Sequence, residues 1–491
     1  MDSTTRERTS YAAVDQGIDV RQRSIRTAKR AFAKRPSPLP FCIAFAITLF
    51  VSLYAFDAHT SILGWIFTFV WSMPALSTVV GMCGMFLARR RMREIHDVAG
   101  DVDTSLHDKL IVVVPTIGRH DTYPALERSV ISFCAHLPGH FPRLRIDVVT
   151  EEGCEAMAKI YALAERSSIV RVVVVPKHYR TRAGTRFKAR ANHFSHELRI
   201  MEGDVRDDIW VLHMDDDTAV GPDTALSIVR FITEQRRSAE PKHLAQGILT
   251  YPRENAANWF TWLADSVRPA DDLSRFALLT GGGTPLSGLH GELLLIRSSI
   301  EAEIGWDFGP KAITEDAQLA LIFCGRYPGL SDWFEGRSYG ASPATVRDFL
   351  KQRERWAWGL LGLSLNRSIP LRNRLFLGYC VSNWVLGPVQ NVLFVLLIAF
   401  VLRIFSLSPT TPYVLVLWTM NMAFAVWMYW EGYKANITAS AARQRRKPLE
   451  LLCLIVCIPI FSLLEGLGGI RGFLRLVTRK ENEFVVIAKP V

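Results

Sequence analysis

Three consecutive aspartates, Asp215, Asp216 and Asp217, follow the apolar run WVLHM at 210–214. Adjacent carboxylates at the end of a buried strand repel, so something must compensate them. A hard divalent cation, Mg2+ or Mn2+, does so with one or two carboxylates and the phosphates of a substrate as ligands. Asp215 and Asp217 have the Asp-x-Asp spacing that aims two carboxylates at one ion. A solvated acidic turn opening the helix of PDTAL accounts for the same residues. Three other stretches carry chemistry. VVPKHYRTRAGTRFKARANHFS (174–195) sets six Lys and Arg residues around Gly184. Such a loop holds a pyrophosphate or is simply solvated. AITEDAQLALIF (312–323) puts Glu315 and Asp316 in a first helical turn. There they either answer the helix dipole, or Asp316 is a base directed into a cleft. FLKQRERWAWGLLGL (349–363) spaces Phe349, Trp356, Leu360 and Leu363 as an amphipathic helix. It reads as an interfacial anchor in which Trp356 also offers a flat face to a sugar ring, and Arg353 and Arg355 face phosphates.

The elements that would position these residues are legible as runs. KLIVVVPT (109–116), RIDVVT (145–150), IVRVVVVP (169–176) and IWVLHMD (209–215) are continuous apolar stretches of strand length. They suit a parallel sheet covered on both faces. Stretches 123–136 and 154–166 read as helices between them. The alternation predicts an open, mostly parallel α/β sheet with helices on both faces. Ligands in such sheets sit beyond the carboxyl ends of strands. There the first strand delivers PTIGRHD, the second TEEG and the fourth DDDT.

The chain has 491 residues, net charge +11, 49% apolar and 21% charged residues. The apolar excess lies in 39–88 and 375–470. Spans are expected at 38–58 and 61–88 as a hairpin, and at 386–405 and 411–433, at roughly 20 residues per crossing. Segment 449–470, with Pro459, Glu465 and glycines, is left between crossing and re-entrant. Basic clusters at 21–35, 89–93 and 443–447 flank these blocks and mark a cytoplasmic side touching anionic lipid. No aromatic-basic recognition module accompanies them, so nucleic acid is excluded as a partner. The eight cysteines form no CxxC pair and no His/Cys cluster, which excludes a zinc site. The expected order is a basic disordered segment (1–37), a transmembrane hairpin (38–88), a cytoplasmic domain (100–348), an interfacial helix (349–370), a second membrane or interfacial region (371–470) and a basic tail (471–491). The whole is an integral, multi-pass membrane protein.

Asp-x-Asp, then Thr314-Glu315-Asp316, then Gln352-Arg353-Glu354-Arg355-Trp356, lying between apolar blocks, resembles the membrane synthases of glycosyltransferase family 2. PKHYRTRAGTRFKARANHF, QGILTYPRENAANWFTWLADSVRPADD and SPATVRDFLKQRERWAWGLL are similar to the Egghead-like β-1,4-mannosyltransferases, over about 110–365. The chain departs from them at Asp215-Asp216-Asp217, where Asp-Glu-Glu is usual. It also departs in LTGGGTPLSGLHGELLLIRSSI, which keeps the glycine-rich shape with other residues. The resemblance implies a type-A glycosyltransferase fold inserted between transmembrane helices. It implies inverting transfer of a hexose from GDP-mannose or a UDP-sugar to a lipid-linked or glycan acceptor. Asp316 would be the general base. Asp215 and Asp217 would hold Mg2+ or Mn2+ against the diphosphate, with Lys188, Arg353 and Arg355 sharing its charge. Glu151 and Glu152 would contact the base or ribose, and Arg190, Glu315, Gln352 and Trp356 complete the substrate-binding set. A processive synthase moving its product through its own spans, and a transporter sensing a nucleotide sugar, are the competing readings.

Overall fold

The computed structural model describes residues 34–55, 62–98, 107–401, 412–440 and 448–478. Segment 1–33, the end of the expected span at 386–405, the cluster at 443–447 and the tail beyond 478 lie outside the described residues, and with them the expectations placed there. The strands are β1 (Lys109–Pro115), β2 (Arg143–Glu151), β3 (Val170–Val175), β4 (Ile209–His213), β5 (Ala219–Val220), β6 (Leu244–Thr250), β7 (Leu294–Arg297) and β8 (Ser331–Tyr339). They form one sheet in the order β3-β2-β1-β4-β7-β6-β8-β5. The four apolar runs are its first four strands, mutually parallel. Successive side chains of a strand point to opposite faces. Leu110, Val112 and Val114 therefore pack under Phe133 and Ile160, while Ile111 and Val113 pack with Val211 and Phe323 on the other face. Helices Tyr123–His136 and Met157–Glu165 fall where expected.

Beyond β4 the sheet is more mixed than expected. β7 runs antiparallel to both β4 and β6, and β5 antiparallel to β8. The reversal has a consequence for position. His213 at the end of β4 pairs with Leu294 at the start of β7, so the residues before β7 arrive beside those after β4.

Below this junction, Glu301 is wholly buried. It accepts from Arg199 Nη2 at 2.8 Å, His213 Nε2 at 2.9 Å and Trp306 Nε1 at 2.7 Å. Burial would raise its pKa, but Arg199 and His213 outweigh that and hold it well below the usual carboxylate range. The node ties helix Phe187–Met201 to β4.

The apolar segments differ from the four continuous spans expected. Among the described residues no single helix is long and apolar enough to cross a membrane. The expected second span is broken between Ile62–Ser72 and Ala75–Val98. Segment 449–470 is broken between Pro448–Val456 and Ile458–Val477, with Pro459 in the first turn after the break. These two bent pairs, turning by 40° and 51°, pass the length and composition test only together. Helices Leu39–Ala55, at the expected first span, Leu371–Val401, with Pro388 inside, and Pro412–Ala439 complete the group. Two of the basic residues after the second block are engaged by protein. Arg91 pairs with Asp332 and donates to the Gly281 carbonyl, and Arg89 donates to the Pro36 carbonyl.

Helix Val346–Leu365 begins at Thr345, whose hydroxyl accepts from the Asp348 N–H. It lies against Ile458–Val477 because that helix presents glycines. A Cβ at Gly468 would stand 2.3 Å from the Arg353 Cβ, and one at Gly472 would stand 2.7 Å from the Trp358 backbone nitrogen.

Replacing Glu301 with Ala strands Arg199 and should cost about 3–5 kcal/mol, read as a lower denaturant midpoint. The depressed Glu301 pKa contributes stability above its unfolded value of 4.5 and loses it as pH falls. Acidification through that range should therefore lower the wild-type midpoint more than that of Glu301→Ala.

Candidate active site

The carboxyl ends of β1, β2 and β4 open onto a cavity of about 480 Å3. Glu151, Lys188, Asp215, Asp217, Glu315, Asp316, Gln352, Arg355 and Trp356 all line it. The strand ends deliver Glu151 and the aspartates, helix Glu315–Arg326 delivers its first turn, and helix Val346–Leu365 delivers one face. On that face Gln352, Arg355, Trp356 and Leu360 recur at three, four and eight residues, as one side of a helix requires.

The centre of the site is a cation among carboxylates. Lys188 Nζ bonds the Asp215 carboxylate and lies 3.8 Å from Glu315 Oε1 and 3.4 Å from the Gly291 carbonyl. Burial would lower the Lys188 pKa, but Asp215, Glu315 and Asp316 together raise it, so the ammonium stays charged. Burial pushes the Glu315 carboxyl up to about 7 against the pull of Lys188, and raises Asp316 in the same way. The backbone on either side of the cluster is strained. Phe187, beside Lys188, has φ 57° and Leu293, two residues past Gly291, has φ 52°. Such conformations are uncommon for bulky residues and gather at functional sites.

Asp216 is held away from the cluster, accepting from Thr116 Oγ1 at 2.6 Å. Asp217 and Glu292 are linked through the Thr218 hydroxyl, at 3.2 and 2.6 Å. Among the described residues no group of three His, Cys, Asp or Glu side chains is placed to hold a metal alone. Asp215 and Asp217 still offer hard oxygen donors on one cavity. That set fits Mg2+ or Mn2+ only when a diphosphate supplies further oxygens.

Three expected residues stand elsewhere. Arg190 clamps the Glu151 carboxylate and the Pro176 and Tyr179 carbonyls, so it shapes the loop. Glu152 accepts from the Lys177 N–H. Arg353, expected to face phosphates, is wholly buried between Asp265 and Glu465. The ring of Trp356, expected to be open to a sugar, has the Arg268 guanidinium 3.9 Å and that of Arg353 4.7 Å from its centroid.

Sequence reading missed Gly291, His290 and Arg268. A Cβ on Gly291 would stand 2.3 Å from Lys188 Nζ and 3.3 Å from both Asp215 Oδ1 and Asp316 Oδ2. This glycine is where the three charged groups converge. His290 lines the cavity, bonded through Nε2 to the buried Asp272 at 2.8 Å. Burial would lower its pKa, but Asp272 raises it. The signal was LHGELLLI, a glycine just before a strand, legible only once the strand's direction is known.

The family described as Glycosyl transferase family group 2 matches residues 210–430. Residues 210–430 are thus similar in sequence to family group 2 of the glycosyl transferases. The chain is similar to the beta-1,4-mannosyltransferase egh of Drosophila melanogaster, 29% identical over 327 residues, covering 66% of this chain and 67% of the fly protein. It is also similar to the beta-1,4-mannosyltransferase bre-3 of Caenorhabditis elegans, 27% identical over 330 residues, covering 65% and 67%. Among solved structures, a Pyrobaculum calidifontis mannosyltransferase in complex with GDP-Man and Mn2+ aligns at a TM-score of 0.41 and 15% identity, over 75% of this chain and 98% of that one. By sequence this α/β chain is similar to glycosyltransferases, the Egghead-like mannosyltransferases among them.

Gly291→Ala tests the convergence. The added methyl meets the far end of a flexible lysine at 2.3 Å and two carboxylate oxygens at 3.3 Å, all side-chain ends and no backbone, so the fold should survive while Lys188 is pushed off Asp215. The thermal midpoint should stay close to wild type, and glycosyl transfer should fall by roughly 100-fold, as for a small misplacement of reacting groups.

Proposed function

We propose that the enzyme transfers a hexose, with inversion, from a nucleoside diphosphate sugar to a hydroxyl of a glycan or lipid-linked acceptor. The observation that carries this reading is the convergence of Asp316, Asp215 and Lys188 on Gly291 inside one cavity. The acceptor oxygen bonds to the anomeric carbon as the bond from that carbon to the diphosphate oxygen breaks. The acceptor proton passes to Asp316, and the nucleoside diphosphate leaves with the bonding pair. Burial raises the Asp316 pKa, which makes its carboxylate a better proton acceptor. Lys188 and Arg355 are the cations placed to meet the diphosphate. Asp215 and Asp217 would hold Mg2+ or Mn2+ with it, and that ion would neutralise charge on the leaving group. The donor class follows from likeness to mannosyltransferases, with GDP-mannose first and a UDP-sugar second.

Membrane attachment belongs to the same proposal. Large apolar side chains stand exposed on the apolar helices, among them Phe50 at 70%, Ile62 at 84% and Leu449 at 69%. Soluble surfaces rarely gather such residues, and lipid would cover them. The basic residues at 89–93 support a cytoplasmic position for the domain that follows them. A processive synthase is the second reading, favoured by a second cavity of about 340 Å3 among those helices. Product sizing separates the two.

The test is transfer from radiolabelled GDP- and UDP-hexoses by membranes carrying the full chain. Asp316→Asn should lower transfer by roughly 100- to 10,000-fold while nucleotide-sugar binding persists. Wild-type turnover in that variant would remove Asp316 from the base role. Chelation should abolish transfer and added Mg2+ or Mn2+ restore it, whereas full activity in chelator would end the metal assignment.

A further inference from the structure

The second cavity meets the first at Arg268, Asp271, Arg275 and Trp384, which line both. Arg268 is 9% exposed. Its guanidinium stacks on Trp356 at 3.9 Å and lies 5.9 Å from the centroid of Trp384. Stacking uses the face of the guanidinium and leaves its in-plane N–H groups available. Two of them, on Nε and Nη2, are buried without a hydrogen-bond partner among the described residues. The nearby carboxylates are engaged elsewhere, Asp265 and Glu465 by Arg353 and Asp271 by Arg275. A buried donor left unpaired costs free energy. The side chain lines both cavities, so a small in-plane turn of the stacked guanidinium brings these donors to an oxygen that arrives with a ligand.

Charge decides which oxygen. Arg268, Arg275 and Arg353 stand among Asp265, Asp271 and Glu465, so the charges of the group cancel. An anion would add an uncompensated buried charge, whereas a hydroxyl satisfies the donors and adds none. The second cavity beyond is lined by Asn383, Asn421 and Ser77 beside Trp71 and Phe424. Amides and hydroxyls among aromatic rings suit a sugar and an apolar extension of it.

We propose that Arg268 is the acceptor-binding residue that selects an uncharged sugar, donating from Nε and Nη2 to its hydroxyls while the rest of the acceptor extends into the second cavity. The assignment rests on the glycosyl-transfer reading and names the acceptor class for it. Trp356 then acts through Arg268, by holding the guanidinium plane.

The experiment uses the full chain, n-octyl β-hexosides below their micelle concentration, and n-octyl β-glucuronide as the anionic counterpart. Binding is measured by calorimetry with nucleoside diphosphate present, and KM is measured for acceptor and donor. Wild type should bind an octyl hexoside more tightly than the glucuronide. Arg268→Met should weaken hexoside binding and raise the acceptor KM by about tenfold or more, the loss of hydrogen bonds to a charged group. Its donor KM should stay within about twofold. Its thermal midpoint should not fall, because an unpaired buried cation has been removed. Arg268→Lys keeps the charge without the fork and should fall between the two. A lowered midpoint with acceptor and donor KM rising together would make Arg268 a structural residue and overturn the proposal. So would tighter wild-type binding of the glucuronide, or hexoside binding unchanged in Arg268→Met. Hexoside binding that depends on Arg268 in a protein that transfers from no nucleotide sugar would uphold the sugar site and defeat the transfer reading alone.

Discussion

The structure is organised around one electrostatic constraint. Asp215, Glu315 and Asp316 are brought within reach of a single ammonium, that of Lys188, on the wall of the cavity. Carboxylates so placed would repel or take up protons. The cation between them makes the arrangement tenable, and each arrives on a different element. Asp215 follows β4, Glu315 and Asp316 open a helix, and Lys188 stands in the first turn of another. Bringing them together requires β4 and helix Phe187–Met201 to keep their mutual position. The Glu301 node does this from below, since Arg199 belongs to that helix and His213 to that strand. The site and its foundation thus share two elements. Disturbance of the buried network would be felt at the cavity before the sheet itself came apart.

The apolar helices belong to the same construction. Asp265 follows Trp259–Ala264, Arg353 belongs to the helix that lines the cavity, and Glu465 sits in Ile458–Val477. Their ion pairs join parts of the chain that composition alone would assign to a soluble domain and a membrane region. A further bond runs from the Asn436 side chain to the Tyr251 N–H at the end of β6. The cavity is walled by the α/β domain on one side and by Trp384 from the apolar group on the other. A chain cut at the apparent domain border would lose a wall of its own site.

How much was legible follows from how local each signal was. β1 to β4 were visible because both of their faces are apolar. β8, SDWFEGRSY, buries Glu335 and Arg337, which are neutralised by Arg230 and Asp223 from a distant helix. Its charges therefore broke the apolar pattern without breaking the strand. β6 carries Gln246, which is spent on the Glu292 and Leu293 carbonyls. The acidic turn, the T-E-D turn and the Q-x-x-R-W helix were legible because their side chains state their chemistry. The roles of Arg353 and of the Trp356 face were misread because their partners, Asp265, Glu465 and Arg268, lie 88 or more residues away along the chain. Gly291 has no side chain to read. It enters the site only because β7 runs against β4.

The burial of Arg353 explains why the Q-x-x-R-W helix presents the face it does. A buried ion pair is a weak source of net stability, and its better-attested use is to fix registry. Arg353 lies one residue, about 100° of helical rotation, from Gln352. With its guanidinium locked between Asp265 and Glu465, the helix cannot roll without stranding a buried charge. The glycines at 468 and 472 remove the other freedom, since only there does the opposing helix leave room for the Arg353 Cβ and the Trp358 backbone. With roll and depth both set, Gln352, Arg355 and Trp356 have one direction left to face, which is the cavity. Arg353 therefore serves the cavity without lining it. Exchange for lysine would keep the charge and lose the fork that engages two carboxylates at once, so the helix would be freed to turn even though the charge balance survived.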